Sequence, residues 1–340
     1  MPITMRDVSA MAGVSISTVS HVVNNTRAVP DRTRQKVMDA IHATGFMPNT
    51  IARSLKRAET RTLGLAIGDI SNPYFTAVVH PLEAAAVKAG YTLILTDIGE
   101  DPDRETAALQ ALIGRRVDGL ILSPSGAGGA QAIAHAKRNK VPVVQIDRIA
   151  DRDCDYVVAS NQPDMQRLVR HLAQRGHKRI GMLAGLNGLS STQERIEGYR
   201  LGLKDGGIAF DPDLMVTADS SMAPAHATTL KLLALPNPPT ALVASNNLMA
   251  LGALRAIKER RLSVPRDIAL VAFDEFEWTD LFQPRLTTIA QPCQEIGEWA
   301  VKLMLDRLAN PDAPPRHIHV ATTLHHRESC GCPADAGPIA

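Results

Sequence analysis

From residue 62 onward, short strand-like runs alternate with longer helix-like runs, and the alternation repeats after about residue 160. This alternation predicts parallel, doubly wound sheets with helices on both faces. Its repetition predicts two similar α/β lobes facing each other across a cleft, where ligands of open parallel sheets bind. The predicted strands are 63–69, 91–97, 119–123, 141–147, 156–160, 179–183, 214–217, 241–245 and 268–273.

The N-terminal part follows a different pattern, that of three short helices. Thr4 and Asp7 form an imperfect capping box before the first helix. Gly13 then permits a sharp turn, and Ser15 caps a second helix that opens with small polar residues. A third helix-like segment spans about residues 31–44. Two helices joined by a Gly-containing turn are typical of helix-turn-helix DNA-binding domains, and two ordinary helices of a small bundle are the alternative.

A fourth, very short helix-like segment follows at residues 49–57, where Asn49 can serve as the N-cap. A helix of about two turns is marginal by itself in water. DNA, together with a second copy of the segment, would supply the missing partner. Leu55 would then be an exposed apolar side chain, the kind that enters between base steps in the minor groove.

Six runs carry a specific pattern: Asp7-Val8, Ala12-Gly13-Val14-Ser15, Thr18-Val19-Ser20, Val22-Val23-Asn24, Thr33-Arg34 and Ala52-Arg53-Ser54-Leu55. With them, residues 4–57 resemble the head and hinge helix of the lactose-repressor (LacI/GalR) family of bacterial transcription regulators. The resemblance continues to about Arg327. It implies an all-α helix-turn-helix head fused to a two-lobed sensor similar to periplasmic sugar-binding proteins. It also implies a homodimer that binds a near-palindromic operator in double-stranded DNA under control of a small molecule.

The resemblance also implies DNA contacts for individual side chains. Ser17, Thr18 and His21 would face base edges in the major groove. Ile16 would lie beside them, and Leu55 would be the wedge in the minor groove. The other positions would lie near phosphates or in the hinge. The full set is Thr4, Ser15, Ile16, Ser17, Thr18, Ser20, His21, Asn24, Asn49, Ser54, Leu55 and Lys56.

The charge is unevenly distributed along the chain. The formal net charge is +2, but residues 1–61 hold nine Lys or Arg and four acids, so they carry +5 and the remainder carries −3. A basic head on a mildly acidic body favours phosphate binding by the head alone.

No apolar run reaches the roughly 18 to 20 residues of a membrane span, and the N-terminus lacks the apolar core of a signal peptide. The four cysteines are too few for a disulfide scaffold in a chain of 340 residues. We therefore expect a cytoplasmic protein with free thiols, nucleoid-associated when bound to DNA. Cys330 and Cys332 lie near several histidines, but His317 and His319 alternate as on a solvated strand face. We accordingly expect no metal and no cofactor.

Polar side chains cluster where the predicted strands end. Carboxylates, amides, one Arg and an aromatic face suit a polyhydroxylated ligand. Acids and Asn bond hydroxyl groups in pairs, and an aromatic ring packs against the C–H face of a sugar. The expected ligand-binding residues are Asp69, Tyr74, Phe75, Asp147, Asn161, Ser191, Arg195, Asn246 and Asp274.

Asp and Asn at strand ends can also be ordinary turn and cap residues. Taken singly, Asp69, Asn72 and Asn247 favour that simpler interpretation. The family resemblance favours effector contact at four other positions, which are Asp147, Arg195, Asn246 and Asp274.

Two positions bear on the kind of effector. Purine-binding members of the family resemble this chain but carry an Arg where Leu189 stands and a stacking Phe where Ser220 stands. A purine would here lose a bidentate donor and a stacking plane. We therefore expect a sugar or sugar derivative, with a purine- or nucleoside-responsive repressor as the alternative. Phosphorylated sugars stay open, because hydroxyl groups and Arg195 near a helix start could hold a phosphate.

The rival class is an enzyme on an α/β scaffold, which needs a Gly-rich phosphate loop or a nucleophile motif. Gly185-Leu186-Asn187-Gly188 is the nearest approach and has neither the G-x-G-x-x-G nor the G-x-x-x-x-G-K-[ST] spacing. A transport binding protein is a second rival, but the missing signal peptide and the head argue against it. We expect a transcription repressor and not an enzyme.

The resemblance sets the expected boundaries, with three crossings between the lobes. The C-terminal residues carry no leucine heptad, so we expect a dimer. The boundaries are 1–48 for the head, 49–61 for the hinge helix and linker, 62–330 for the ligand-binding and dimerisation domain and 331–340 for a tail, with lobe 1 at about 62–160 and 292–322 and lobe 2 at about 161–291.

Overall fold

The computed structural model describes residues 3–47, 59–126, 128–276 and 278–333. By its internal contacts the chain divides into two compact units, one ending at Thr60 and the other beginning at Arg61. In the described ranges no helix is long and apolar enough to cross a membrane.

The described part of the first unit consists of three helices around a small apolar core. These are α1 (Met5–Ala12), α2 (Ile16–Asn24) and α3 (Asp31–Thr44). Val8 and Val19 are fully buried, and Phe46, which follows α3, completes the core. From α1, Val8 lies in this core and Met5 and Ala12 pack against it, whereas Met11 is 59% exposed.

The ends of α1 and α2 have the local chemistry that the sequence predicts. The Asp7 carboxylate accepts from the N–H of Thr4 at 2.8 Å and from its hydroxyl at 2.7 Å, so Asp replaces the usual Glu of the capping box. Gly13 ends α1 at a φ of 65°, a left-handed conformation that costs Gly little. The Ser15 hydroxyl then caps α2 by accepting from the N–H of Thr18 at 3.1 Å.

The second unit contains two six-stranded sheets connected by helices. The strands are β1 (Thr62–Ile67), β2 (Thr92–Asp97), β3 (Gly119–Leu122), β4 (Val143–Ile146), β5 (Asp155–Ala159), β6 (Ile180–Ala184), β7 (Met215–Thr217), β8 (Ala241–Ala244), β9 (Ala269–Phe273), β10 (Thr287–Ala290), β11 (His317–Val320) and β12 (Thr323–His325). The helices are α4 (Pro73–Lys88), α5 (Pro102–Gly114), α6 (Gly129–Arg138), α7 (Gln162–Gln174), α8 (Ser190–Asp205), α9 (Met222–Leu233), α10 (Asn247–Glu259) and α11 (Cys293–Ala309).

The two sheets repeat one topology. The first has the order β11-β5-β4-β3-β1-β2, and the second has the order β12-β10-β9-β8-β6-β7. Neighbouring strands in the described sheets are parallel except for β10 and β12. In each sheet the carboxyl ends of the parallel strands lie along one edge, which is where such sheets bind ligands.

Each sheet buries apolar side chains on both faces, as β1 shows. Leu63, Leu65 and Ile67 pack in one cluster with α4 and α11, whereas Ala66 packs in another with α5 and α6. Successive side chains of a strand point to opposite faces. Helices on both faces therefore require the nearly continuous burial that β1 shows.

The C-terminal part of the chain belongs to both lobes. β11 lies in the first sheet beside β5, whereas β12 pairs antiparallel with β10 in the second sheet. The expected boundary of lobe 2 at residue 291 is therefore too early, because a strand after residue 322 covers the edge of β10. Cys332, expected in a tail, packs against the core of the second lobe.

Candidate effector pocket and DNA-binding surface

A cavity of about 400 Å³ lies between the two lobes, at the carboxyl ends of their strands. Pockets for small molecules typically have volumes of about 300 to 1,000 Å³. Eight of the nine expected ligand-binding residues line this cavity: Asp69, Tyr74, Phe75, Asp147, Ser191, Arg195, Asn246 and Asp274.

Arg195, in the first turns of α8, is held by several groups of the second lobe and is only 7% exposed. Its Nε donates to Oδ1 of Asn161 at 2.9 Å, and its Nη1 donates to the Ser245 carbonyl at 2.5 Å. The guanidinium lies over the ring of Phe273, 3.8 Å from its centroid. Nη2 is 3.9 Å from the Asp274 carboxylate, beyond hydrogen-bond reach, which leaves this end for a ligand.

Asn161 was expected to contact the ligand, but it does not line the cavity. It is 2% exposed, and its amide nitrogen donates to the Ala159 carbonyl at 3.2 Å and to the Glu194 carboxylate at 3.0 Å. Its oxygen accepts from Arg195. With both ends of the amide engaged by protein groups, Asn161 positions Arg195.

The first lobe supplies a group of ion-paired side chains, of which only Asp147 was predicted from the sequence. Arg148 donates twice to Glu100, at 2.5 and 2.7 Å, and its Nε lies 2.9 Å from the Asp147 carboxylate without hydrogen-bond geometry. The Ser123 hydroxyl donates to Asp147 at 3.3 Å. Arg148 and Glu100 both line the cavity. The position of Arg148 directly after a strand-end Asp is the signal that could have identified it.

Asp147 and Asp274 line the cavity from equivalent positions in the two lobes. Asp147 follows β4 and Asp274 follows β9, and each of these strands is third in the order of its sheet. Both have left-handed backbone, with φ of 65° and 70°, a conformation uncommon outside Gly, Asn and Asp that clusters at functional sites. Burial raises the pKa of the Asp274 carboxyl above its ordinary value, while Arg195 and a hydrogen bond from Gln291 oppose the rise. Asp274 is therefore a buried acid whose charge depends on its partners.

Tyr74 and Phe75 open α4 at the cavity, with ring centroids 5.2 Å apart in an edge-to-face arrangement. Burial, together with the nearby charge of Asp147, raises the pKa of the Tyr74 phenol. The hydroxyl of Tyr74 is buried and has no hydrogen-bond partner among the described residues. An unsatisfied buried polar group costs about 1–3 kcal/mol. A ligand in the cavity that bonds to this hydroxyl would remove that cost.

Leu189 and Ser220, the two positions that bear on a purine, both line the cavity. Leu189 is 2% exposed and supplies only apolar surface. The Ser220 hydroxyl accepts from the N–H of Leu186 at 2.9 Å. At these positions the cavity has neither a charged donor nor an aromatic plane.

Some residues of the cavity also perform the turn and capping roles that the sequence left open. Asp69 accepts from the N–H and the hydroxyl of Ser71 at 2.8 and 2.6 Å. Asn246 caps α10 by accepting from the N–H of Met249 at 2.7 Å, and its amide donates to the Ser220 carbonyl at 2.9 Å. These bonds fix both side chains at the cavity wall before a ligand arrives.

Among the described residues, hydrogen bonds near the cavity connect one lobe to the other. The Asn247 amide donates to Oδ1 of Asn72 at 3.0 Å, and the N–H of Ile149 donates to the Ser190 hydroxyl at 2.8 Å. Oδ1 of Asn72 also caps α4 through the N–H of Tyr74. The capping role expected for Asn72 is present, and the structure adds a link between the lobes.

In the first unit, α2 presents a polar outer face opposite its buried valines. Ile16 is 44% exposed and Ser17 is also exposed. The Ser17 hydroxyl lies 2.7 Å from that of Ser15, and Nδ1 of His21 lies 2.9 Å from the Thr26 hydroxyl. These bonds hold the side chains in place without any contact to DNA.

Several of the remaining residues that were expected to contact DNA already have hydrogen-bond partners within the protein. The hydroxyl of Thr4 is bonded to Asp7, and that of Thr18 lies 2.8 Å from the Ser15 hydroxyl. The Asn24 amide donates to the Ser20 carbonyl at 2.9 Å, one turn earlier in α2. Four expected contacts lie outside the described residues, namely Asn49, Ser54, Leu55 and Lys56.

A helix-turn-helix unit joined to a two-lobed α/β unit with a ligand cavity defines a ligand-controlled DNA-binding regulator. The chain matches the model for "Bacterial regulatory proteins, lacI family" over residues 4–49 and that for "Periplasmic binding protein-like domain" over residues 169–330.

Similar proteins include the HTH-type transcriptional repressor PurR of Aliivibrio salmonicida, 34% identical over 90% of this chain and 92% of that protein. The ribose operon repressor of Escherichia coli is 32% identical over 96% of this chain and 99% of that protein. The structure of the Lac repressor dimer bound to operator and the anti-inducer ONPF superimposes with a TM-score of 0.87 at 28% identity, covering 97% of this chain and 99% of that one. The chain therefore belongs to the lacI family of bacterial regulatory proteins.

Membership of this family confirms the predicted fold class and function. The chain is a DNA-binding transcription repressor and not an enzyme. It binds operator DNA as a dimer and responds to a small-molecule effector, as lacI-family repressors do. A bacterial DNA-binding repressor acts in the cytoplasm, where the DNA is.

Proposed function

We propose that the effector is an uncharged sugar or sugar derivative bound between the lobes. The observation that carries this proposal is the charge of the cavity wall, where five carboxylates face two guanidinium groups, a formal charge of −3. Carboxylates accept hydrogen bonds from hydroxyl groups and repel an anion. The carboxylates are Asp69, Glu100, Asp147, Asp219 and Asp274, and the guanidinium groups are those of Arg148 and Arg195.

The sequence identity to the repressor PurR favours a purine as the effector. The side chains of the cavity wall argue against it. Leu189 and Ser220 line the cavity without a bidentate donor or a ring. Phe75 is the aromatic side chain that, with Tyr74, can pack against the C–H face of a sugar. The similarity to the ribose operon repressor supports a sugar.

Thermal unfolding of the full chain with a panel of ligands tests the proposal. The panel contains neutral pentoses and hexoses, their phosphate esters, and purine bases and nucleosides. A ligand at about 100 times its Kd adds about 2.7 kcal/mol, which raises the Tm of a domain of this size by several degrees. We expect a neutral sugar to raise Tm and its phosphate ester to have a smaller effect.

Two variants show whether a ligand that raises Tm occupies the cavity. Asp147→Asn removes a cavity carboxylate, whereas Asp213→Asn removes an exposed one outside it. The Tm rise should be lost in the first variant and kept in the second. A purine that raises Tm when no sugar does would contradict the proposal and support a nucleobase-responsive repressor.

We further propose that residues 1–48 read the operator, that residues 49–61 form the hinge and linker, and that residues 62–332 bind the effector and dimerise. The hydroxyl groups held in place at the start of α2 support the first assignment. Leu55 would act as the minor-groove wedge. Effector binding would change lobe arrangement at the dimer interface and so the pairing of the hinges, which couples the two sites. On its operator the repressor would be associated with the nucleoid.

A further inference from the structure

Two histidines and two cysteines of the second lobe converge at a place that the effector cavity does not include. His171, His326, Cys330 and Cys332 each offer one ligand atom, and these four atoms lie within 4.8 Å of one another. None of the four residues lines the cavity. The two cysteines stood out in the sequence, but His171 precedes Cys330 by 159 residues, so only the fold brings it to them.

The four residues come from two separate segments. His171 lies on α7, whereas the other three follow β12 within seven residues of one another. Cys330 ends a short 3-10 helix, Glu328–Cys330. Gly331 then adopts a φ of 84°, a left-handed turn that brings Cys332 back beside Cys330. A ligand bound by all four would fasten the C-terminal segment to α7.

The distances suit a small tetrahedral ion. Nε2 of His171 lies 3.3 Å from Sγ of Cys330 and 3.5 Å from Sγ of Cys332. With Zn–S bonds of about 2.3 Å and Zn–N bonds of about 2.0 to 2.1 Å, tetrahedral coordination sets this N–S separation at about 3.5 Å. The rings of His171 and His326 are close as well, with centroids 4.2 Å apart.

Three of the four residues are buried, and part of the hydrogen-bonding capacity of the cluster is unused. His171 is 9% exposed, His326 is 6% exposed and Cys330 is fully buried. Nδ1 of His326 has no hydrogen-bond partner in the described part of the chain. A buried imidazole with an unpartnered nitrogen beside two thiols is costly to maintain without a ligand.

We propose that His171, His326, Cys330 and Cys332 form a Cys₂His₂ site for Zn²⁺. Thiolate and imidazole ligands select zinc over magnesium or calcium, which prefer oxygen. Each thiol loses its proton on binding, so two thiolates and one Zn²⁺ give a site of zero net charge. Such a site is compatible with the neighbouring guanidinium of Arg175, which donates to the Gly331 carbonyl. This inference departs from the sequence-based expectation of no metal, and it does not depend on the effector.

Cobalt titration of the full chain tests the site. The protein is prepared without a histidine tag, reduced with a phosphine, stripped of metal with a chelator and titrated with Co²⁺. We expect one Co²⁺ per chain, with thiolate-to-cobalt charge-transfer absorption and the visible bands of tetrahedral Co²⁺. One equivalent of Zn²⁺ should abolish both signals, because zinc binds such sites more tightly than cobalt.

Variants separate the proposed ligands from other thiols and imidazoles. Cys332 is only partly buried, so Cys332→Ser should fold. It should bind Co²⁺ at least tenfold more weakly and lose about half of the charge-transfer intensity, since one of two thiolates is removed. Cys154→Ser, which removes a cysteine outside the cluster, should titrate as the wild type does.

His171→Asn tests the imidazole contribution, and His177→Asn is its matched control outside the cluster. The first should weaken Co²⁺ binding and the second should not. A reduced, folded chain without charge-transfer absorption would overturn the proposal. So would equal signals from Cys332→Ser and the wild type. The proposal would also be overturned if the chain were two hydrogens lighter, peptide mapping placed a disulfide between Cys330 and Cys332, and no metal were bound before or after reduction.

Discussion

At the scale of single residues, the cavity wall contains a buried carboxyl group, that of Asp274, whose charge depends on its surroundings. Burial raises the pKa of Asp274, while Arg195 and Gln291 oppose the rise. A ligand hydroxyl that donates to this group is bound more strongly by the ionised form. As the pH is lowered through the raised pKa, protonation weakens this hydrogen bond, so the affinity should begin to fall at a higher pH than it would beside an ordinary Asp. Asp274→Asn should bind about 1.5–3 kcal/mol more weakly, the contribution of a hydrogen bond to a charged group.

Calorimetric titrations from neutral pH downward measure this effect. The wild type should lose affinity across the raised pKa, and Asp274→Asn should show a flatter profile. Asp213→Asn, an exposed control, should follow the wild type. If Asp274→Asn keeps the full pH dependence of ligand affinity, another titratable group of the cavity causes that dependence. Asp274 would then accept no hydrogen bond from a ligand hydroxyl.

The effector class can also be tested at two positions of the wall. Leu189→Arg with Ser220→Phe would introduce a bidentate donor and a stacking plane. Aromatic stacking contributes about 0.5–1.5 kcal/mol and a charge-assisted hydrogen bond about 1.5–3 kcal/mol. We therefore expect purine affinity to rise at least tenfold, measured by calorimetry. Binding of the sugar should be lost, because the larger side chains take up room in a cavity of about 400 Å³.

A matched double variant controls for size and charge alone. Leu189→Lys with Ser220→Leu adds a cation and apolar bulk, but neither a planar fork nor a ring. It should exclude the sugar without gaining a purine. Equal purine binding by both double variants would show that shape and charge, not specific recognition, produce the gain.

The residues at the strand ends could be predicted, but their individual bonds could not. Asp147 and Asp274 follow buried strands, and parallel strands bring such ends to one edge. Asn161 occupies the same kind of position, yet its amide is used by Arg195, a residue 34 positions later. Contacts between residues far apart along the chain decide which strand-end side chain reaches the ligand. Local sequence patterns do not predict such contacts.

At the scale of elements, α4 and α10 are linked through residues at their N-termini. The Asn247 amide reaches Asn72 across the lobes at 3.0 Å. A neutral hydrogen bond contributes about 0.5–1.5 kcal/mol, and Asn72 keeps its capping bond to Tyr74 when the partner is removed. Asn247→Ala should therefore fold, close less readily around the effector and bind it up to about tenfold more weakly. Calorimetry at 25 °C, with the Tm of the free variant, measures both effects.

Ser190→Ala removes a second cross-lobe bond, that with the N–H of Ile149. It should lower affinity in the same direction. The two losses should add in the double variant, because the two bonds share no groups. Unchanged effector affinity in both single variants would show that these bonds stabilise the unit without influencing closure.

Most elements of the second unit were predictable because helices cover both faces of each sheet, which makes the strands short continuous apolar runs. β12 lacks that signal, since it has three residues with an exposed first position. Its pairing joins His325 to Thr288, which lies far from it along the chain. Short edge strands that pair non-locally leave no periodicity to detect, so the contribution of residues after 322 to the second lobe could not be predicted.

At the scale of the whole molecule, the repressor is a dimer, so a substitution in the head acts twice on one operator. Ser17 is exposed on α2, and its hydroxyl is held 2.7 Å from that of Ser15. Loss of a neutral hydrogen bond to a base costs about 0.5–1.5 kcal/mol. Ser17→Ala should therefore weaken binding to a symmetric operator by about 1–3 kcal/mol in total. Binding to non-specific DNA should not change, because phosphate contacts dominate it.

An operator selected from random duplexes, and a second version with one half-site scrambled, provide the measurement. On the symmetric operator the free-energy loss caused by Ser17→Ala should be twice the loss on the scrambled one, where only one head meets its bases. Equal losses on the two duplexes would mean that a single head reads the operator. A loss that appears equally on non-specific DNA would place Ser17 at a phosphate, and the specificity of the dimer would then come from other residues of α2.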